Sequence, residues 1–255
     1  MTSTTGAQPG ADYFDVMADH VDDHWWYAAR RELLAEVLAG RVEAGSVAVD
    51  VGCGAGGSLA VLADAGASTI VGTDLVGEAL ANARTRVGGA QLMASRAERL
   101  PLRGGAADVL ISLDVIEHLD DDVAALGEYR RVLRPGGTLV LSVPAYPGLW
   151  SRHDEWAGHR RRYRDGTLAA AVRSAGLELD RVTHFFSFLV PPAVALRRTP
   201  LGRLVSGNDE DAAASPLVSK VLGGAARAER AVLRRAGRLP VGLSLLAVAR
   251  RPNGR

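Results

Sequence analysis

The sequence predicts an α/β fold with a mostly parallel sheet, and three observations support this prediction. Short apolar segments of strand character alternate with helical segments, which is the pattern of βαβ units joined by right-handed crossovers. The first of these apolar segments, residues 46–52, ends in glycines that lead directly into a helix. The chain has 255 residues, 47% of them hydrophobic, which is ample for one large buried core.

The predicted elements follow one another in a regular order. Strands are predicted at 46–52, 68–75, 90–95, 107–115, 137–144, 177–186 and 239–251. Helices are predicted at 13–42, 56–66, 77–87, 120–133 and 165–176, and Asp165 could cap the last of them. Between the last two strands, the spacing indicates a helical insertion with an acidic loop at 206–216. We expect one domain, with a helical cap at 1–45, a core at 46–186 and 239–251, and the insertion at 187–238.

The overall composition excludes several classes of partner. Thirty basic residues face 29 acidic ones, so the net charge of +1 gives no global field that would attract nucleic acid. The longest apolar stretch, 185–196, is too short for a membrane span and contains two prolines. The N-terminus has no signal-peptide pattern, and the single cysteine allows no intramolecular disulfide. We therefore expect a cytoplasmic protein without a membrane span or a nucleic-acid partner.

The strongest local signal is VDVGCGAGG, residues 49–57, which places glycines in a G-x-G-x-x-G pattern between a strand and a helix. This pattern alone fits dinucleotide-dependent enzymes as well as other nucleotide-binding proteins. Asp50 precedes the first glycine by two residues, and its carboxylate would repel a pyrophosphate but suits a ligand that carries an amine. Asp74 ends the second strand, where a carboxylate commonly binds ribose hydroxyls.

Five segments in order resemble motifs of the class I S-adenosylmethionine-dependent methyltransferases. They are VDVGCGAGG, GTDL (72–75), AERLPL (97–102), DVIEHL (114–119) and RVLRPGGTLVLSVP (131–144). The resemblance implies a Rossmann-like, seven-stranded sheet whose last strand is antiparallel. It also implies an enzyme that uses S-adenosylmethionine and releases S-adenosylhomocysteine.

The same resemblance implies a set of cofactor contacts. Asp50 would orient the methionine end of the cofactor, through its amine or a water molecule. Asp74 would bind both ribose hydroxyls, and Leu75 would pack on the adenine. Arg96 stands where the family often has an aspartate, so the adenine would be held by the backbone of the next two residues. The remaining contacts would be Gly52, Cys53, Gly54 and Gly56 along the methionine, Ala97 and Glu98 at the adenine, and Leu113 and Asp114 near the sulfonium.

The segment HWWYAARREL, residues 24–33, resembles the start of a subset of these enzymes in which a helix covers the cofactor. That subset also has an HD…GH.RRY segment and an ending similar to LPVGLSLLAVARR. Trp26 and Arg30 would then contact the cofactor, with Arg30 on the methionine carboxylate, and Trp25 and Tyr27 would belong to the same lid. The alternative is that the tryptophans only fix this helix to the sheet.

Candidate catalytic residues come from HDEWAGHRRRYR, residues 153–164, which follows the fifth strand and should lie at the carboxyl edge of the sheet. Imidazole and carboxylate groups suit proton removal near neutral pH, so His153, Asp154, His159 and Tyr163 are the candidates there. The arginines at 160–162 either bind an anionic group or, as we favour for each singly, pair with local acids and solvent.

His118 in DVIEHL is a further catalytic candidate. The spacing of Asp114, Glu117 and His118 is similar to an E-x-x-E-H motif that holds a divalent metal in some methyltransferases. We nevertheless predict no metal, with His118 capping or packing under the helix, because EHL is frequent in this fold without metal.

The predicted function is methyl transfer to a nitrogen or oxygen of a small molecule, natural product or short peptide. In-line displacement mainly requires alignment of the reactants, and a base is needed only if the nucleophile must lose a proton. Two alternatives remain at this point: a non-catalytic module that binds the cofactor or a partner, and an NAD-dependent oxidoreductase on a related sheet.

Overall fold

The computed structural model describes residues 24–198 and 215–254. The start of the predicted N-terminal helix and most of the predicted acidic loop lie outside these residues. The strands are β1 (Val47–Val51), β2 (Thr69–Asp74), β3 (Gln91–Ala94), β4 (Ala107–Leu113), β5 (Leu133–Pro144), β6 (Glu178–Phe185) and β7 (Ser244–Arg250). The helices are α1 (Trp25–Leu38), α2 (Gly57–Asp64), α3 (Gly77–Arg86), α4 (Asp122–Val132), α5 (Arg152–Trp156), α6 (Asp165–Ser174), α7 (Val190–Arg198) and α8 (Pro216–Ala236).

The strands form one seven-stranded sheet in the order β3-β2-β1-β4-β5-β7-β6. Strand β7 runs antiparallel to both of its neighbours, β5 and β6, whereas the other pairings are parallel. The predicted Rossmann-like sheet with an antiparallel last strand is therefore confirmed. Strand order reverses beside β1, which pairs with β2 on one side and β4 on the other, and ligands of such sheets bind at this switch point.

Helices cover both faces of the sheet. Buried side chains of α4 and α6, among them Leu126, Tyr129 and Leu168, pack on one face. Side chains of α1, α2, α3 and α8 pack on the other, where Leu34 and Leu59 are almost fully buried. Each such leucine stabilises the fold by about 1.5–3 kcal/mol relative to an exposed one. The two packed faces leave the carboxyl edge of the sheet as the place for a ligand.

Two boundaries differ from the predictions. The last strand begins at Ser244 instead of 239, because Gly242 packs so closely on the end of β6 that an added Cβ would lie 2.2 Å from the Phe185 carbonyl oxygen. Asp165 does not cap α6, so that prediction is wrong. The helix begins at Asp165 itself, and the hydroxyl of Thr167 accepts a hydrogen bond from the Arg164 amide at 2.9 Å.

Helices α7 and α8 form the described part of the predicted insertion. The Glu229 carboxylate of α8 accepts hydrogen bonds from the amides of Phe186 and Ser187, at 2.6 and 2.5 Å, and so anchors α8 to the end of β6. Arg230 of α8 pairs with Glu32 of α1 at 2.7 Å. The insertion and the N-terminal helix are thus joined on one face of the sheet. Across the described ranges, every helix is too short or too polar to cross a membrane.

Candidate functional site

The glycine loop joins β1 to α2 and is tied to the end of β2. The amides of Gly52 and Cys53 both donate to the Thr73 carbonyl, at 2.7 and 3.0 Å. Gly52 has a φ of +76°, and a Cβ at this position would lie 2.3 Å from Val115 Cγ2. Gly54 has a φ of +51°, but nothing lies within 4 Å of the place its Cβ would take. The loop is therefore closed against β4 at Gly52 and open at Gly54, where a ligand can approach the backbone.

Asp50 has a buried carboxylate beneath this loop, and only one of its two oxygens accepts a hydrogen bond from the described residues. Ser58 donates a hydrogen bond to Oδ2, whereas Oδ1 is buried and lacks a hydrogen-bond partner. Burial raises the pKa of Asp50 to about 7, even though the Ser58 hydrogen bond lowers it. A buried oxygen without a donor is costly to leave unpaired, so this position fits an amine or ammonium group of a ligand.

Asp74 ends β2 with its carboxylate fixed by two backbone amides. Oδ2 accepts from the Gly54 amide at 2.9 Å, and Oδ1 accepts from the Val76 amide at 3.0 Å. Each oxygen keeps a further lone pair for a hydroxyl group. The next residue, Leu75, is 50% exposed, which is unusual for a large aliphatic side chain and provides an apolar surface for a flat ring.

The other predicted cofactor residues of this half lie deeper. The Cys53 side chain is buried close to Gly72, whose added Cβ would lie 3.0 Å from the sulfur. Burial also raises the pKa of the Cys53 thiol, so only its backbone is suited to a ligand. Ala97 is buried, and the partly buried Glu98 pairs with Arg96 at 2.9 Å. Gly56, at a φ of +88°, packs against Ala83 of α3, where an added Cβ would lie 2.9 Å from its Cα.

The end of β4 meets the N-terminal helix through charge. Asp114, the residue after Leu113, has a φ of 55° and forms an ion pair with Arg30 of α1. The Ser142 hydroxyl of β5 lies between them: it accepts from Arg30 Nη2 at 3.1 Å and donates to Asp114 Oδ1 at 3.2 Å. Arg30 therefore reaches the carboxyl edge of the sheet, although here its charge is balanced by Asp114.

The aromatic residues of α1 divide into two groups. Trp25 is buried, with its ring 5.6 Å from that of Phe186 and edge-on to it, which is the arrangement expected of a tryptophan that fixes a helix to the sheet. Trp26 is only partly buried, and the Arg30 guanidinium lies 4.2 Å from its ring centroid. Tyr27 lies edge-on to Trp26 at 5.0 Å. Trp26 and Arg30 thus form the part of α1 that borders the site.

Glu117, His118 and His159 come together between the turn after β4 and the segment after β5. The ligand atoms of these three side chains all lie within 4.8 Å of one another. The Glu117 carboxylate is fully buried, and burial raises its pKa well above the usual range. Burial also lowers the pKa of His118 to about 4, which keeps its imidazole neutral near pH 7.

Asp154 is contacted by three other residues of the segment after β5. Its buried carboxylate lies 2.9 Å from His159 Nδ1, accepts two hydrogen bonds from Arg162, and accepts two more from the Ser151 amide and hydroxyl. Burial alone would raise the pKa of Asp154, but the hydrogen bonds from His159 and Arg162 hold it below its ordinary value. Asp154 is therefore suited to orienting His159 and poorly suited to accepting a proton itself.

Of the two remaining catalytic candidates, Tyr163 is buried and His153 is exposed. The Tyr163 hydroxyl is buried and donates to Asp122 at 2.6 Å, and burial raises its pKa. Tyr163 is thereby directed to the base of α4 rather than to an open site. His153 is exposed, with its ring 6.2 Å from His159 and 5.8 Å from Trp156.

Two of the neighbouring arginines hold the turn after β4. The Arg161 guanidinium donates to the carbonyls of Leu119 and Asp120, both at 2.8 Å, and Arg160 pairs with Asp120 at 3.2 Å. These contacts agree with the prediction that such arginines pair locally. Arg162 also pairs with an acid of its own segment, Asp154, but this acid is buried.

Several residues of the site were not among the predicted ones. Ser58 lies in the first turn of α2 and Ser142 near the end of β5, so both follow from the rule that ligands bind at the carboxyl ends of strands. Nothing in the run of arginines distinguishes Arg162, since its role depends on the buried Asp154 that it contacts.

Comparison with known proteins shows a similarity to methyltransferases. Residues 49–141 match the model of a methyltransferase domain. A Mycolicibacterium smegmatis protein named "Probable S-adenosylmethionine-dependent methyltransferase" is 30% identical over 169 residues, covering 65% of this chain and 64% of the relative. Trans-aconitate 2-methyltransferase of Azoarcus is 30% identical over 172 residues, covering 65% of this chain and 62% of that protein. The chain thus spans less than two thirds of the length of both relatives.

Solved structures agree on the fold. A methyltransferase from Haloferax volcanii, in complex with the Trm112 methyltransferase activator, superposes with a TM-score of 0.66 and 21% identity. The match covers 94% of this chain and 98% of that one. The match to a methyltransferase domain favours methyl transfer over the NAD-dependent alternative, and the strand order and glycine loop agree with it. Over residues 49–141 the chain is therefore similar to the domain of S-adenosylmethionine-dependent methyltransferases.

Proposed function

We propose that this protein catalyses methyl transfer from S-adenosylmethionine to a nitrogen or oxygen of a small molecule, natural product or short peptide. The observation that supports the proposal best is the order in which side chains follow one another along the carboxyl edge of the sheet. At the end of β2, Leu75 is half-exposed and the Asp74 carboxylate is fixed by backbone amides. In β1, Asp50 has one carboxylate oxygen without a donor among the described residues. The cluster of Glu117, His118 and His159 follows beyond β4 and β5. The first three suit the cofactor, and the last suits an acceptor.

The residues of the glycine loop fit the cofactor in shape and charge. Asp50 Oδ1 has no donor among the described residues and would receive the ammonium of the methionine end. Gly54 leaves open space where another residue would place a side chain, and Asp74 retains acceptor capacity for two hydroxyls. When bound, the cofactor supplies an activated methyl group on a sulfonium. The protein's own task is to align the acceptor with it and exclude water.

Arg30 and Trp26 would cover this half of the site. The Arg30 guanidinium lies over the Trp26 ring and pairs with Asp114, so it is within the reach of the β4 end where the methionine part would lie. A carboxylate ligand would compete with Asp114 for the same guanidinium. We therefore include both residues among the cofactor contacts.

The acceptor would lie against His159 and His118. Asp154 fixes His159 through Nδ1, and Arg162 and Ser151 in turn fix Asp154, so the imidazole is held in one orientation. We assign loss of the acceptor's proton to this cluster. His153, exposed at its edge, would contact the acceptor from the rim.

We propose a small acceptor because the charges of the protein give little attraction for a large polyanion such as a nucleic acid. The net charge of +1 gives no general attraction for nucleic acid, and Arg160 and Arg161 are engaged by the turn after β4. The Azoarcus relative is named for methylation of trans-aconitate, a small acid, which agrees with this class.

Two measurements test the proposal. Calorimetric titration with S-adenosylhomocysteine and with NAD should give binding of the first and none of the second. Incubation with methyl-labelled S-adenosylmethionine and a panel of small amines, alcohols, carboxylic acids and short peptides should transfer label to one chemical class. Binding of NAD in place of S-adenosylhomocysteine would overturn the proposal. Binding of S-adenosylhomocysteine without transfer to any acceptor would favour a non-catalytic module.

A further inference from the structure

The cluster of Glu117, His118 and His159 has the composition of a metal site. One carboxylate and two imidazoles are brought together with their ligand atoms within 4.8 Å of one another. A tetrahedral ion bound at about 2.1 Å separates its ligand atoms by about 3.4 Å, so adjustments of about an ångström would bring all three onto one ion. His159 comes from a segment far along the chain from Glu117, and only the fold joins them.

The Glu117 carboxylate supplies the strongest reason to expect a cation. It is 0% exposed, and within residues 24–198 and 215–254 neither of its oxygens has a hydrogen-bond partner. A carboxylate removed from water without compensation is strongly destabilised, so it must either hold a proton or face a positive charge. The nearby guanidiniums are already engaged: Arg30 pairs with Asp114, and Arg162 pairs with Asp154.

The imidazole of His159 is held from outside the cluster, as metal-binding histidines usually are. His159 Nδ1 lies 2.9 Å from Asp154 Oδ1, which leaves Nε2 as the nitrogen directed to an ion. The carboxylate that holds it is itself fixed by two hydrogen bonds from Arg162. The ring of His118 lies edge-on to that of His159, with the ring centroids 4.8 Å apart. The outer contacts of His159 set the direction of its ring before an ion arrives.

We propose that Glu117, His118 and His159 bind one divalent transition-metal ion of the zinc or manganese class. Two imidazoles and a carboxylate suit such borderline ions better than calcium or magnesium, which prefer oxygen ligands alone. Three protein ligands leave a coordination position that is open to an oxygen-bearing acceptor, whose hydroxyl proton the ion would make more acidic. This last consequence rests on the proposed methyl transfer, but the site itself does not. With the ion bound, His159 acts as a ligand that Asp154 orients.

The test uses the whole chain, freed of metal by a chelator and studied without cofactor or acceptor. Calorimetric titration with Zn²⁺, Mn²⁺ and Mg²⁺ should give one Zn²⁺ or Mn²⁺ per chain and much weaker Mg²⁺ binding. Titration with Co²⁺ should develop visible absorption bands typical of a four- or five-coordinate nitrogen and oxygen site. Glu117→Gln and His159→Ala should abolish both signals, whereas Asp154→Asn, which removes an outer contact, should weaken binding by about 10- to 100-fold.

His153→Ala is the matched control, because His153 is an exposed histidine beside the cluster whose ring is 6.2 Å from that of His159. Its loss should leave metal affinity unchanged. Thermal unfolding separates loss of binding from loss of fold: metal should raise the midpoint of the wild-type protein but leave the midpoint of Glu117→Gln where it is. Without metal, Glu117→Gln should unfold no earlier than the wild type, since it removes an unpaired buried charge.

Absence of Zn²⁺ and Mn²⁺ binding by the wild-type chain, or equal binding by Glu117→Gln, would overturn the metal site. Neither result depends on S-adenosylmethionine. A chain that binds the ion but not S-adenosylhomocysteine would keep the site and lose the proposed function, and the reverse pattern would do the opposite.

Discussion

Arg162 holds Asp154 with two hydrogen bonds, from Nε at 2.6 Å and from Nη2 at 3.0 Å, although the Asp154 side chain is 0% exposed. Removal of one member of a buried pair leaves the other charge without compensation. Asp154→Asn should therefore lower the free energy of unfolding by about 3–5 kcal/mol. Equilibrium unfolding in urea measures this change.

A surface ion pair supplies the control for that experiment. Asp120 pairs with Arg160, but its side chain is 82% exposed. Asp120→Asn should change the free energy of unfolding by less than about 1 kcal/mol. A similar loss of unfolding free energy in both variants would contradict the importance of the buried Asp154–Arg162 pair for stability.

The two glycines of the loop should respond differently to the same substitution. Gly52→Ala combines a left-handed backbone with a clash on Val115, and should destabilise the protein by about 2–5 kcal/mol. Gly54→Ala meets no neighbour, so only the backbone strain of about 1–2 kcal/mol remains. Its Cβ would instead enter the space assigned to the cofactor and weaken S-adenosylhomocysteine binding. Urea unfolding and calorimetric titration of both variants separate the two effects.

A double variant tests the cause of the Gly52 effect. In Gly52→Ala/Val115→Ala the clash is relieved, so the double variant should be less destabilised than the sum of the single ones. Strict additivity would mean that Val115 is not the obstacle.

Cofactor affinity should depend on the ionisation of Asp50. Its pKa of about 7 means that the free protein binds a proton there at acidic pH, and this proton must leave before Asp50 can hold an ammonium. The affinity for S-adenosylhomocysteine should thus fall by up to about tenfold per pH unit below about pH 7. Calorimetry from about pH 5.5 to 8 follows the change. Asp50→Asn should bind weakly with no such dependence.

The same shift has a consequence for the fold alone, and its sign is opposite. Because the folded pKa lies above the ordinary value of 3.8, the folded state binds more protons than the unfolded state between those two values. The contribution of Asp50 to stability therefore decreases as pH rises from about 4 to 7, and Asp50→Asn should remove this decrease. Ser58→Ala, which takes away the hydrogen bond that lowers the pKa, should move the binding inflection to higher pH.

Tyr163 should matter for stability more than for catalysis. Tyr163→Phe removes the hydrogen bond to Asp122 and leaves a buried carboxylate short of one donor, a loss of about 1–3 kcal/mol. Its hydroxyl is engaged by Asp122 and the Ile116 carbonyl, so kcat/KM at a temperature well below the unfolding transition should stay within about twofold of wild type. A large fall in kcat with unchanged stability would restore Tyr163 as a catalytic residue.

The sheet was largely predictable because its signals are local. Alternating apolar and helical segments determine the elements, and the glycine loop fixes their starting point. The boundaries that failed depended on distant contacts: Gly242 against Phe185 delays the last strand. At α6, Arg164 occupies the N-cap position, so the helix begins one residue earlier than a cap at Asp165 would require.

The proximity of Asp50 and Asp74 was predictable from the sequence, whereas that of Glu117 and His159 was not. Asp50 and Asp74 occupy positions set by the glycine motif, so their proximity follows from adjacent strands. Glu117 and His159 are distant in sequence, and no periodicity brings them together. The sequence was interpreted as a site without metal because EHL is frequent in this fold without one. The fold places His159 beside Glu117 and His118, and it pairs Asp114 with Arg30.

The ion pair between Arg30 and Asp114 joins a helix outside the matched methyltransferase domain to a residue inside it. The family match covers residues 49–141, and both Arg30 and His159 lie outside it. The charge at the end of β4 is thus completed by a helix before the matched region, and the histidine cluster by a segment after it. Side chains from both flanking segments thus reach the carboxyl edge of the sheet, so we expect substitutions there to alter the proposed acceptor site while the glycine loop stays as it is.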